Sequence, residues 1–316
     1  MQPINALSLA PAVNNWLTNS RHPRILHVFD HACNLINECM EVLSIVTPQI
    51  GNGPFNLVMD TDIFFSEHLN LQSPVSITLN HLTLDNLIIH TQPATLWSPR
   101  PDWEILHARR DDILNQLMSL RGRWSSARSN PIVNWEIASS QRALLAMTFQ
   151  QLPITNYQSP ISSSPISNSL ISSLAIADLP ASLTAAKQLA GLGIGLTPAG
   201  DDFILGALYA AWIIHPPKIA SALARETAET AASLTTSLSA AWLKSAGAGE
   251  AGILWHDLFN ALLLTSPNAS ASLRTSLQSP ISNLLAVGHT SGADALAGFI
   301  CTLISYAESQ TKSCPS

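Results

Sequence analysis

Charged side chains are scarce in this chain: Asp, Glu, Lys and Arg make up only 11% of its 316 residues. Such a shortage fits either a surface partly hidden against partners or a biased composition, and both readings stay open. The 15 basic and 21 acidic residues leave a net charge of −6, spread evenly along the chain. No basic stripe forms in either half, which excludes the usual electrostatic footprint of a nucleic-acid binder. Long apolar runs are also missing. Phe203 to Ile214 is the longest, well short of the roughly 20 residues that cross a bilayer, so no membrane span is expected. The start, "MQPINALSLAPAVNNW", has neither a basic head nor a compact apolar core, so no signal peptide is expected. Cys33, Cys39, Cys301 and Cys314 show no CxxC spacing, which argues against a zinc knuckle or a redox pair. They read as reduced thiols of a cytoplasmic protein. GxSxG, HExxH and Walker-type motifs are absent too.

Between Arg24 and about Leu96, short runs rich in Val, Ile, Leu and Thr alternate with Asn, Gly, Pro and Asp. "RILHVFDHACNLI", "EVLSIVTPQI", "FNLVM", "VSITLNHLTL" and "NLIIHT" predict strands of a small antiparallel sheet or barrel. "WSPRPDW" ends that pattern. Helical spacing predicts helices over 103–124 and from Trp135 to about Leu152. "SPISSSPISNSLISS", Ser159 to Ser173, predicts a linker and the best domain boundary. The rest predicts helices: one stopped by Gly191, a buried one to Ile214, one from Lys218 to Ala246, then about Ile253–Leu264, Leu273–Val287 and Thr290–Ala307. The expected class is α+β. A β-rich region (1–100), a helical connection (101–158), a Ser/Pro-rich linker (159–180) and an all-helical domain (181–316) follow one another.

Glycine is equally lopsided: three of the fourteen precede residue 190 and eleven follow it. In a helical region, where glycine costs about 1 kcal/mol relative to alanine, that enrichment needs a local cause. A repeat supplies it. "GLTPAGDDFILG", Gly195 to Gly206, matches "GHTSGADALAG", Gly288 to Gly298, with one extra residue in the first copy. Thr197 and Thr290 are suited to N-capping, and Pro198 to the first helical position. Gly200 and Gly292 would clear space before the first-turn N–H groups. Asp202 and Asp294 each lie four residues before a glycine, Gly206 or Gly298, and hence on the same helix face. The two loop–helix units are therefore expected side by side, both N-termini facing one cleft. An aspartate in a first turn also complements the helix dipole with no ligand at all, and glycines commonly serve helix crossings.

Two chemistries are open for such a cleft. Free N–H groups would hold a carboxylate or phosphate. Asp201, Asp202 and Asp294 would accept protons from an amide or carbamoyl nitrogen, or hold Mg²⁺. Gly195, Thr197, Gly200, Thr290, Ser291 and Gly292 are the candidate substrate-binding residues. Asp201, Asp202, Asp294 and His289 are the candidate catalytic ones, His289 as a proton carrier. "TTSLSAAWLKSAGAGE" adds Thr235 and Ser239, four apart, as hydroxyls on one helical face.

"GLGIGLTPAGDDFILG", "TTSLSAAWLKSAGAGE" and "GHTSGADALAGF" resemble three signature blocks of the AllH family, and "HVFDHACNLIN" with "GNGPFNLVM" resembles its N-terminal block. Ile194 stands where proline is expected and Ala199 where serine is frequent. The resemblance implies a subunit of an oxamate carbamoyltransferase of allantoin and purine degradation, working with FdrA-like and AllG-like subunits. Its reaction would move a carbamoyl group between oxalurate and phosphate, giving oxamate and carbamoyl phosphate. A non-catalytic assembly or anion-sensing subunit and a stand-alone metal-dependent hydrolase are the competing readings.

Overall fold

The computed structural model describes residues 4–115, 161, 164–264 and 270–312. The chain divides into two compact units, Met1–Pro101 with Glu250–Ile253, and Asp102–Gly249 with Leu254–Ser316.

The first unit is a nearly closed, barrel-like sheet. Its strands are β1 (Ile4–Leu9), β2 (Arg24–Val28), β3 (Ala32–Ile36), β4 (Val42–Val46), β5 (Asn56–Met59), β6 (Val75–Ile77), β7 (His81–Leu84), β8 (Leu87–His90) and β9 (Thr95–Leu96). They run in the order β2-β3-β4-β5-β1-β8-β7-β6, with β9 paired to β1. Helix α1 (Pro11–Asn19) places Val13 and Trp16 on a core that includes Leu35, Leu43, Ile45, Leu57, Met59 and Ile89. The stretch 24–36, expected as one strand, is a hairpin. Phe29 N–H donates to the Ala32 carbonyl at 2.8 Å and reverses the chain at Asp30–His31. Apolar residues on both sides of that turn mask it in the sequence. The pairing is not purely antiparallel either, since β4–β5, β1–β8 and β1–β9 are parallel. Residues 250–253 complete this unit: Ala251 N–H donates to Pro99 O and Ile253 N–H to Asn52 O.

The second unit is helical. It contains α2 (Trp103–Ala108), α3 (Pro165–Ala175), α4 (Leu179–Leu189), α5 (Ala199–Ile214), α6 (Pro217–Ala232), α7 (Ser237–Gly247), α8 (Ile253–Leu264, its first residue counted with the sheet), α9 (Ser270–Leu285) and α10 (Ser291–Lys312). The helix expected over 103–124 breaks at Arg109 and resumes from 110; its part beyond 115 and the helix expected from Trp135 to Leu152 fall outside the described residues. The Ser/Pro-rich stretch is not a linker where it is described. Ser164 accepts the Ser167 N–H, Pro165 opens α3, and Leu170, Ile171 and Leu174 are buried. The serines do not solvate the segment, because Ser167 and Ser173 hydrogen-bond to backbone carbonyls. The division between units falls at Pro101 instead. The single helix expected from Lys218 to Ala246 is two, parted at Ser233–Thr236, where Thr236 caps α7. Trp103, Tyr209, Trp212, Trp255, Phe259 and Phe299 pack into an aromatic core around α5, Trp103 stacked on Tyr209 and Trp212 and the other rings tilted or edge-on.

Candidate functional site

Helices α5 and α10 cross at the repeated glycines, and the crossing is reciprocal. A methyl group at Gly206 would lie 1.7 Å from the Ala295 carbonyl oxygen, and one at Gly298 would lie 2.0 Å from that of Phe203. Each position is the other's counterpart in the repeat, which is the signature of a local pseudo-twofold axis. Backbone touches backbone only because neither glycine carries a Cβ.

Gly200 and Gly292 are also equivalent, but their role differs from the expected one. Added methyls there would meet Leu189 O at 2.1 Å and Leu284 O at 1.7 Å. These glycines let α5 and α10 start hard against the ends of α4 and α9, rather than clearing space for a ligand. Their N–H groups are spent in the same way, on Leu192 O and Val287 O. Asp201 and Asp202 N–H both point to Pro198 O, and Asp294 N–H points to Thr290 O. Of the free first-turn donors that an anion would use, the N–H groups of Gly200, Asp201 and Gly292 are thus committed within the chain.

The same bonds correct the alignment of the repeats. Pro198 is the N-cap of α5 and matches Thr290, so Thr197 does not cap its helix. Thr197 instead shares a hydrogen bond with Ser291 at 2.8 Å, tying one loop to the other across the axis.

The aspartates divide into an anchor and a facing pair. Asp201 is buried and accepts from the Gly191 N–H at 2.8 Å and from the Thr235 hydroxyl. Burial raises its pKa; those two donors and the Ser239 hydroxyl, which faces it without completing a well-formed hydrogen bond, oppose the rise. Thr235 and Ser239 reach Asp201 from the α6–α7 break and the first turn of α7, not from one continuous helix face. Asp202 turns the other way. Burial pushes its pKa up to about 8, Asp294 and Asp201 add like charge, and the Ser291 and Thr197 hydroxyls offset part of the rise. Its Oδ2 is buried with no hydrogen-bond partner. Asp294 is wholly enclosed, whereas Asp202, like Ala199, escapes the full burial of the rest of α5.

Two expected members stand apart. His289 is solvent-exposed, and so is Gly195, which sits at φ +100° in the loop with nothing near its α-carbon side. Among the described residues no three His, Cys, Asp or Glu side chains are gathered as a metal-holding group, because Asp201 faces away from the other two. No described helix is long and apolar enough to cross a membrane. Cys33, Cys39 and Cys301 are free thiols.

A family described as "Oxamate carbamoyltransferase subunit AllH" matches residues 189–303, and the "AllH family N-terminal domain" matches residues 5–96. The chain belongs to the AllH family. The first match spans the loop before α5 through most of α10, and so contains every candidate site residue. The second covers the strands of the sheet unit. An AllH chain is by that description a subunit, which implies protein partners. No solved structure matches this chain.

Proposed function

We propose that this chain works within an oxamate carbamoyltransferase complex of allantoin and purine breakdown, and that Asp202 and Asp294 receive the N–H-bearing end of the substrate. The observation that carries this reading is the buried, unpartnered Oδ2 of Asp202 beside Asp294 and two hydroxyls. A carboxyl pair suits an amide or carbamoyl nitrogen, whose N–H groups donate, far better than it suits phosphate. The anion would be held by other groups of the complex, FdrA-like or AllG-like subunits among them.

With its pKa near 8, Asp202 is protonated at neutral pH and acts as a general acid. When phosphate attacks the carbamoyl carbon of oxalurate, a C–O bond forms and the bond to the oxamate nitrogen breaks. The departing nitrogen takes the Asp202 proton and leaves as the neutral amide of oxamate, with carbamoyl phosphate as the other product. The reverse transfer returns that proton to the carboxylate. Thr197 and Ser291 steer the carboxyl, and Asp201 holds the loop that carries Thr197.

The assay is phosphate-dependent release of oxamate from oxalurate by the assembled complex. Asp202→Asn should lower kcat by about 10²–10⁴-fold, the usual contribution of a positioned general acid, and the wild-type rate should fall above about pH 8. Full activity of the variant would overturn the assignment and leave the chain as a non-catalytic assembly subunit.

A further inference from the structure

Two histidines meet in the sheet unit, away from the carboxyl pair. Strands β7 and β8 form a hairpin in which Leu84 and Leu87 close the turn Asp85–Asn86, and that register sets His81 opposite His90. The Thr91 N–H donates to Asn80 O at 3.0 Å, which makes 80/91 a hydrogen-bonded pair and 81/90 a non-hydrogen-bonded one. Side chains approach most closely across a pair of the second kind. Leu82, Leu84, Leu87 and Ile89 fill the core, so alternation sends both imidazoles to the other face, where each is half-buried.

The ring centroids lie 5.1 Å apart with the planes inclined at 54°. The rings are therefore not stacked, and no hydrogen bond joins them: Nδ1 of His81 is shut off from water with no partner. A nitrogen so placed is destabilising unless something coordinates it. His27 and His31 also bury an unpartnered Nδ1, but their rings lie against Phe29 and Phe64, which bring no second nitrogen. His81 has another imidazole beside it. Two imidazole nitrogens at ~2.0–2.1 Å from one tetrahedral ion would place the ring centroids about 5 Å apart, which is the separation found. The flanking backbone holds the pair in register. Thr78 donates its N–H and its hydroxyl to His81 O at 2.9 and 3.1 Å, and the Gln92 amide binds the Asn80 side chain at 2.9 Å.

We infer that His81 and His90 bind one divalent transition ion of the Zn²⁺, Ni²⁺ or Cu²⁺ class, each through one nitrogen, with water completing the coordination. Imidazole suits these ions, whereas Mg²⁺ and Ca²⁺ take oxygen ligands. The site is made by the sheet unit alone and stands whether or not the chain takes part in carbamoyl transfer.

The test is calorimetric titration of the full chain, stripped of metal with a chelator, against NiCl₂ and ZnCl₂. One ion per chain should bind. His81→Gln and His90→Gln should each weaken binding by about tenfold or more, because each removes one of two ligands, and His68→Gln, at an exposed histidine of the same unit, should not. Cu²⁺ should bind more tightly than Ni²⁺, Mn²⁺ should bind most weakly, and a large excess of Mg²⁺ should not compete. Affinity should fall as pH is lowered, since an imidazole must shed its proton to bind a metal. Electron paramagnetic resonance of the Cu²⁺ form should show imidazole nitrogen coupling that either substitution reduces. The metal-free variants should melt with the wild type, which separates lost ligands from lost folding. No saturable binding, binding untouched by both substitutions, or one ion shared between two chains would overturn the inference.

Discussion

Asp201 and Asp202 are neighbours in sequence with opposite duties, and the local backbone decides which is which. One helical step of about 100° separates them. That step turns Asp201 onto Gly191 and Thr235 and turns Asp202 onto Thr197, Ser291 and Asp294. The consequence is a pH dependence of stability with a defined sign. The Asp202 pKa rises from its ordinary 3.8 to about 8 on folding, so the folded chain keeps a proton that the unfolded chain has released. Its contribution is whole below the lower value and is lost as pH climbs toward 8. Asp202→Asn should therefore flatten the fall in Tm between pH 4.5 and 8.5. At the upper end the variant should melt higher than wild type, by ~2–4 °C for each kcal/mol recovered. Thermal scans at several pH values would show it, and an unchanged slope would refute it.

At the scale of elements, the two loop–helix pairs behave as one packing device used twice. Gly206 and Gly298 each rest on the other helix's backbone, so one added methyl has no flexible side chain to displace. Gly206→Ala or Gly298→Ala should cost about 1–3 kcal/mol or more through overpacking, despite alanine's better helix propensity. Urea unfolding followed by circular dichroism measures this; a stabilised variant would mean that the crossing relaxes freely. The repeat was legible in the sequence because Gly, Thr and Asp recur in order. Its register was not. Matching threonine to threonine pairs Thr197 with Thr290, whereas the backbone bonds pair Pro198 with Thr290. Likewise, Gly200 and Gly292 look like a ligand clearing until the Leu189 and Leu284 carbonyls are seen filling the space.

Across the whole molecule, the chain returns to its first unit after most of the helices have been laid down. Glu250–Ile253 belongs with the sheet, where the Pro99 and Asn52 carbonyls receive its N–H groups. A fragment ending at Pro101 lacks those partners. It should melt below the sheet unit of the intact chain, by a few degrees for the two lost hydrogen bonds at ~1 kcal/mol each. Differential scanning calorimetry of fragment and full chain would decide, equal melting being the contrary result. Nothing in "AGAGEAGI" announces this return, because small residues serve a close approach and a turn equally well.

Alternating β-branched runs, helical spacing and the doubled glycine motif determined by themselves the α+β class, the helical second half and the residues to watch. These are short-range patterns, set by the periods of strand and helix. Tertiary structure alone decided that the Ser/Pro stretch holds a helix, that Asp201 is an anchor while Asp202 faces Asp294, and that His289 stays in solvent. Each of those depends on which groups from distant parts of the chain fill a carboxylate's or carbonyl's surroundings, and no local period encodes that.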